Sequence, residues 1–158
     1  MHLNKEDYLS DIKSVSIFKD LSEEDIKEIL KLAFVKEYGN GFHIFRKNMM
    51  GGIMYVILRG EATVFITGDD RKEKILATIG PNSYIGEMSI IEETPRSASC
   101  VVSKPSIMLV ITKKCFDDIQ EKYPKIGLKI LKAILITVSQ RLRICNEKLS
   151  KFNEVKEF

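Results

Sequence analysis

The chain has 158 residues, 44% of them apolar, which is room for one domain with a real core and one further element. Its 25 Lys and Arg against 22 Asp and Glu leave a net charge of +3, too small to suggest nucleic-acid binding. Cys100, Cys115 and Cys145 are scattered and odd in number, so they suggest neither a disulfide framework nor a metal site, and a reducing cytoplasm is the simplest home.

Residues 5–33 read as helices. Ser22 is placed as an N-cap, with Glu23, Glu24 and Asp25 in the first turn. Ile26, Ile29, Leu30 and Ala33 then recur at helical spacing. The N-terminus has no apolar stretch of the kind a signal peptide needs, and no apolar run anywhere approaches the ~20 residues of a membrane span. The predicted protein therefore has no membrane partner.

From Val35 to Thr112 the texture changes to short apolar runs broken by Gly, Asn and Pro. Phe42–Phe45, Ile53–Leu58, Ala62–Ile66, Ile75–Thr78, Ser99–Val102 and Ile107–Ile111 are predicted strands. Arg59-Gly60 and Gly68-Asp69-Asp70 are read as turns between neighbours. Many short strands with regular turns indicate a sandwich or a jelly roll. His2 and His43 stand far apart with no third partner, and read as ordinary surface or strand residues.

The segment Gly86–Ser99 carries the chemistry. Glu87 and Arg96 lie nine residues apart, with a small apolar run and Thr94-Pro95 between them. Arg96 offers a planar fork of donors suited to phosphate oxygens. Met88 to Ile91 can form a helical turn, and Glu87 can accept hydrogen bonds from ligand hydroxyls such as those of a ribose. A phosphate and a ribose hydroxyl close together describe a nucleotide.

After Pro124 comes a second signal. Leu128, Leu131, Leu135, Val138, Leu142, Cys145, Leu149 and Phe152 alternate spacings of three and four, a heptad stripe widened by Ile130, Ile134 and Ile144. A helix of roughly 30 residues is ~45 Å long, more than one small domain can cover. The stripe predicts a parallel dimer seam; the alternative is a helix packed on its own domain. Lys125, Lys129, Lys132, Arg141 and Arg143 read as a solvated face.

Ile85-Gly86-Glu87 and Pro95-Arg96-Ser97-Ala98-Ser99 resemble the phosphate-binding cassette of the cyclic-nucleotide-binding domain family. The resemblance implies an α+β, mainly β, fold: an eight-stranded jelly roll with N-terminal helices, a short cassette helix and a long C-terminal helix. It implies ligand contacts from Gly86, Glu87, Met88 and Ser89, with Glu87 on the ribose 2′-hydroxyl. It implies further contacts from Arg96, Ser97 and Ala98, with Arg96 and two backbone N–H groups on the cyclic phosphate. The run Gln140–Lys148 resembles the family's base-contacting helix, which brings in Cys145 and Asn146. Ile17–Ser22 resembles the family's entering helix cap. Two departures stand out: the turn Lys47–Gly52, with Met49 and Met50 where Gly and Asp are usual, and Asn82 where a glycine is common.

The expected organisation is a nucleotide-binding domain over 1–123 and a dimerising lid helix over 124–158. No helix-turn-helix follows that helix, and no nucleophile motif or metal cluster is present. The expectation is a stand-alone, cytoplasmic, non-enzymatic sensor that takes cAMP, or else cGMP, and no cofactor. It would signal through a homodimer or an unknown protein effector. The rival reading is a dimeric scaffold of the same fold that has lost its ligand. Ser97 follows the arginine where the resemblance implies Ala in many cAMP sites and Thr in many cGMP sites; a Ser there is compatible with cAMP but also offers a hydroxyl to guanine, and cAMP is the favoured ligand.

Overall fold

The computed structural model describes residues 3–69 and 71–156, with side chains as far as residue 151. His2, Asp70 and the side chain of Phe152 lie outside the described residues. The N-terminal segment is a 3-10 turn, Lys5–Tyr8, running into helix α1, Leu9–Lys13; a second 3-10 turn, Ser16–Phe18, leads to α2, Glu23–Leu32. Ser22 closes the expected cap: its Oγ accepts from Asp25 N and its own N–H donates to Asp25 Oδ2, both at 3.1 Å. At the other end of α2, Lys5 Nζ donates to the carbonyls of Leu30 and Ala33 at 2.7 and 2.6 Å, placing a cation on the negative end of the helix dipole.

Among the described residues six antiparallel strands follow: β1 Phe34–Tyr38, β2 His43–Phe45, β3 Ile53–Thr67, β4 Glu73–Ile79, β5 Ser83–Ile85 and β6 Ser99–Thr112. The order is β1-β6-β3-β4, with β2 paired to β6 and β5 to β3. Arg59-Gly60 is not a turn between strands. It is a bulge inside the 15-residue β3, where the register against β6 shifts repeatedly between Ile57 and Ala62. Gly60 has φ +89°, and a Cβ there would lie 2.3 Å from the Pro105 carbonyl oxygen, so the bend needs a residue without a side chain. The two predicted strands around Pro105 likewise join as the single bent β6. Counting each limb of β3 and β6 separately turns the six strands into the eight of the jelly roll. Two strands carry little sequence signal. β1 is a half-polar edge strand, and β5 has only three residues.

The bent strands serve two cores. Along β3, Met54, Val56 and Leu58 face the helices, while Tyr55 and Ile57 face the barrel interior. Along β6, Leu109 and Ile111 join the first core and Met108 and Val110 the second. Strands with both faces buried read as unbroken apolar runs, which is how these segments look in the sequence.

Helix α3, Glu87–Ile91, follows β5; α4, Lys113–Lys122, follows β6; and α5 runs from Pro124 to Lys156. Ile126, Ile130 and Ile134 of α5 are fully enclosed in the helix-side core, with Leu131 and Val138 half-buried beside them. The heptad stripe is therefore split. Its Leu131 and Val138 pack on the domain, while Cys145 is exposed and Leu128, Leu135, Leu142 and Leu149, one every seven residues, are 59–69% exposed. No helix among the described residues is long and apolar enough to cross a membrane.

Candidate functional site

The segment from β5 to the start of β6 wraps one end of the barrel. Gly86 is the N-cap of α3 with φ +88°. A Cβ at that position would sit 2.6 Å from both Arg96 Nη1 and the Ile53 carbonyl, so only glycine lets the arginine lie where it does. Backbone pairing fixes the other side of Arg96. Its N–H donates to the Met49 carbonyl at 2.8 Å, its carbonyl accepts from Asn48 N at 2.9 Å, and Met50 bridges to Pro95. The Lys47–Gly52 turn is thus a backbone clamp on the cassette. Its methionine side chains point outward, and nothing in the structure explains why they are methionines.

Arg96 is 7% exposed. Nη1 donates to Ser89 Oγ at 2.6 Å, and Nη2 donates to the Ile53 carbonyl at 2.7 Å. Its guanidinium carbon stacks 4.2 Å from the Phe45 ring centroid. Burial lowers its pKa from the ordinary arginine value, opposed by Tyr55, Cys100 and Glu87. All of its hydrogen-bond partners are neutral. Among the described residues it forms no ion pair, and its buried Nε has no partner. A buried cation without a counter-anion is costly to hold, and here it carries one unused donor.

Ser89 is the hub of this arrangement. Its hydroxyl accepts from Arg96 Nη1 and from Gly52 N at 3.3 Å, and donates to the Gly86 carbonyl at 3.0 Å. One donor and two acceptors are all a serine hydroxyl has, so Ser89 has nothing left for a ligand. It lines the wall but serves Arg96.

Glu87 is 3% exposed, and its Oε1 pairs with Nη1 of Arg141, which reaches down from α5. Arg141 Nη2 donates to the Tyr84 carbonyl at 3.1 Å. Burial raises the pKa of the Tyr84 phenol beneath it. Between these groups opens a cavity of about 570 Å³. Its wall contains Gly86, Glu87, Met88, Ser89, Arg96, Ser97, Ala98 and Cys145, and also Leu76, Ile79, Arg141, Ile144 and Lys148.

Two expectations change. Asn146 is exposed and absent from that wall, because it lies about 100° round the helix from Cys145. Arg141 does not belong to a solvated face. It stands on the same helical face as Ile144, Cys145 and Lys148, at the i, i+3, i+4 and i+7 positions, so the spacing to Cys145 was the signal that could have found it. Nothing in the sequence flagged Phe45 or the Ile53 carbonyl, since their roles depend on tertiary approach. Among the described residues no three His, Cys, Asp or Glu side chains gather as a metal site.

The arrangement presents a buried donor for an anion, a carboxylate for hydroxyls and an apolar wall for a flat ring. A family model described as cyclic nucleotide-binding domain matches residues 35–123. The chain belongs to that family. A solved cyclic nucleotide-binding domain from Methylobacillus flagellatus superposes with a TM-score of 0.85 at 26% identity, covering 94% of this chain and 86% of that one. The catabolite activator protein of Thermus thermophilus gives 0.78 at 25% identity, covering 87% of this chain and 63% of that one. The cyclic AMP receptor protein of T. thermophilus is 27% identical over 116 residues, 73% of this chain and 54% of the receptor. Mouse cGMP-dependent protein kinase 2 is 25% identical over 115 residues, 72% of this chain and 15% of the kinase. This cyclic nucleotide-binding domain thus spans about half the length of the receptor and a smaller part of the kinase.

Proposed function

We propose that the protein is a non-enzymatic sensor that binds a 3′,5′-cyclic nucleotide in the cavity between the cassette and α5, and passes occupancy on through α5. The observation that carries this reading is Arg96, which lines the cavity: buried, charged, without a carboxylate partner, and with a buried Nε that has no acceptor. A phosphodiester meets both needs, as counter-ion and as acceptor. Glu87, on the same wall, takes the ribose 2′-hydroxyl. Ser97 and Ala98 complete the phosphate side, and Ile144 and Cys145 face the base.

The relatives named for a ligand divide between cyclic AMP and cyclic GMP. We favour cAMP, because Ser97 suits the phosphate and adds only a small hydroxyl beside the base. Signalling runs through a homodimer. The exposed leucines of α5, at seven-residue intervals, form its seam, and the helix that forms the seam also carries a wall of the cavity. A ligand shifts such a helix only by its differential affinity for two positions of it. The domain boundary near residue 123, the cytoplasmic location and a protein effector belong to the same proposal. Calorimetry of the purified protein against cAMP, cGMP and linear AMP tests it. Binding of a cyclic nucleotide at least tenfold tighter than AMP is expected; no binding of either cyclic nucleotide would leave the dimeric scaffold.

A further inference from the structure

We infer that Arg141 makes recognition of the ribose conditional on the docking of α5. This rests on the reading of Glu87 as the ribose-binding carboxylate. An arginine fork that serves only as an ion pair tends to meet a carboxylate with both prongs. Here the fork is divided. Nη1 goes to Glu87 Oε1, and Nη2 goes to the Tyr84 carbonyl at 3.1 Å. The guanidinium carbon lies 5.8 Å from the centroid of the Tyr84 ring, so the side chain is held on three sides. The consequence falls on Glu87. Only one of its oxygens is taken, and Oε2 accepts no hydrogen bond among the described residues.

The burial of the two partners is unequal. Glu87 is enclosed by the fold, whereas the Arg141 side chain is 45% exposed and reaches the carboxylate from a helix that continues far beyond the domain. A buried carboxylate depends on its counter-charge to remain oriented. With α5 docked, Arg141 supplies that charge, turns Glu87 and leaves Oε2 for the 2′-hydroxyl. With α5 undocked, Glu87 loses its partner, and the ribose loses an acceptor held in place. Arg141 is thus a positioning residue. It couples lid position to a single hydroxyl of the ligand rather than adding a ligand contact of its own.

The test measures the affinity ratio between each cyclic nucleotide and its 2′-deoxy analogue, for cAMP and cGMP. It uses the wild type, Arg141→Ala, Arg141→Gln (which keeps part of the stem) and Arg141→Lys. A hydrogen bond to an ionised acceptor predicts a wild-type ratio of about 10- to 100-fold. The ratio should fall to roughly threefold or less in the Ala and Gln variants, and the Lys variant should recover most of it. Thermal melts of the free Ala and Gln variants should fall, because each leaves the buried Glu87 carboxylate without its counter-charge; the affinity ratio compares two ligands on the same variant and is read independently of that loss. An unchanged ratio in Arg141→Ala and Arg141→Gln would overturn the inference. Tighter binding by those variants would also overturn it, since Arg141 would then compete with the ligand for Glu87. If the wild type binds no cyclic nucleotide, the nucleotide reading itself fails, and the role of Arg141 fails with it.

Discussion

Ser89 Oγ accepts from Arg96 Nη1 at 2.6 Å, and the serine gives its own hydrogen to the Gly86 carbonyl. That pair fixes one prong of the guanidinium with a neutral acceptor, so the positive charge is oriented without being neutralised. Removing the hydroxyl should loosen Arg96 without removing its charge. Ser89→Ala is expected to weaken cyclic nucleotide binding by about 1–2 kcal/mol, roughly 5- to 30-fold. It should also blunt the preference between the two diastereomers of the cyclic phosphorothioate, because that preference reads which phosphate oxygen Arg96 faces. Calorimetry with both diastereomers checks this; an unchanged preference would separate Ser89 from phosphate recognition.

Arg96→Ala removes the charge itself. The ligand phosphate would then be partly desolvated and unpaired, at a cost of about 2–4 kcal/mol, some 30- to 1000-fold in affinity. Stability should behave differently. Since Arg96 has no counter-anion, Arg96→Met is expected to leave the unfolding free energy of the nucleotide-free protein within about 1 kcal/mol of wild type. Urea denaturation measures it. A loss well beyond that would mean that the hydrogen bonds to Ser89 and Ile53 hold the fold as well as the site.

Alkaline pH should destabilise the protein. Burial pushes the Cys100 thiol up to about 12 from 9.0, against the pull of Arg96. Burial, with Asp118 adding to it, raises Cys115 to about 11, and burial raises the Tyr38 phenol to about 12 from 10.0. In each case the unfolded chain loses its proton at a lower pH than the folded one. The contribution is therefore fully present below the unfolded values and is lost as pH rises through the folded ones. Denaturation midpoints should be flat to about pH 9 and fall from there toward pH 12. Cys100→Ala, which removes the largest of these shifts, should fall less steeply; an identical slope would rule out the thiol.

Leu135 and Leu142 are 66% and 59% exposed in the single chain, so Asp at either position should change the stability of an isolated protomer by no more than about 0.5 kcal/mol. In a seam the same change would bury an unpaired charge and favour monomers. Light scattering with and without cAMP distinguishes the cases. A wild type that is monomeric in both conditions at tens of micromolar would remove the dimer from the account.

The sequence was most legible where local chemistry and tertiary role coincide. Ser22 with Asp25, the apolar runs of β3 and β6, and the Gly86–Ser99 segment each announce an element or a motif in adjacent residues. It was least legible where a role depends on approach across the fold. Gly60 looked like a turn because a strand bend and a hairpin need the same freedom of backbone. The heptad stripe of α5 could not reveal that Ile126, Ile130 and Ile134 would anchor the helix and leave four leucines outside. Arg141 looked solvated because its partner is 54 residues away, and Asn146 looked useful until the helix phase turned it aside.

The central claim is that Arg96 waits for an anion with Nε unused. Nitrogen-15 NMR of the Arg96 side chain tests it most directly, with the Nε–H signal assigned by its loss in Arg96→Lys. On saturation with cAMP, or with cGMP if that is the tighter ligand, the Nε–H proton should move downfield and exchange more slowly with water, as for a charge-assisted hydrogen bond to phosphate. A signal that stays in place while the nucleotide saturates its site would contradict the assignment of Arg96 as the phosphate-binding residue.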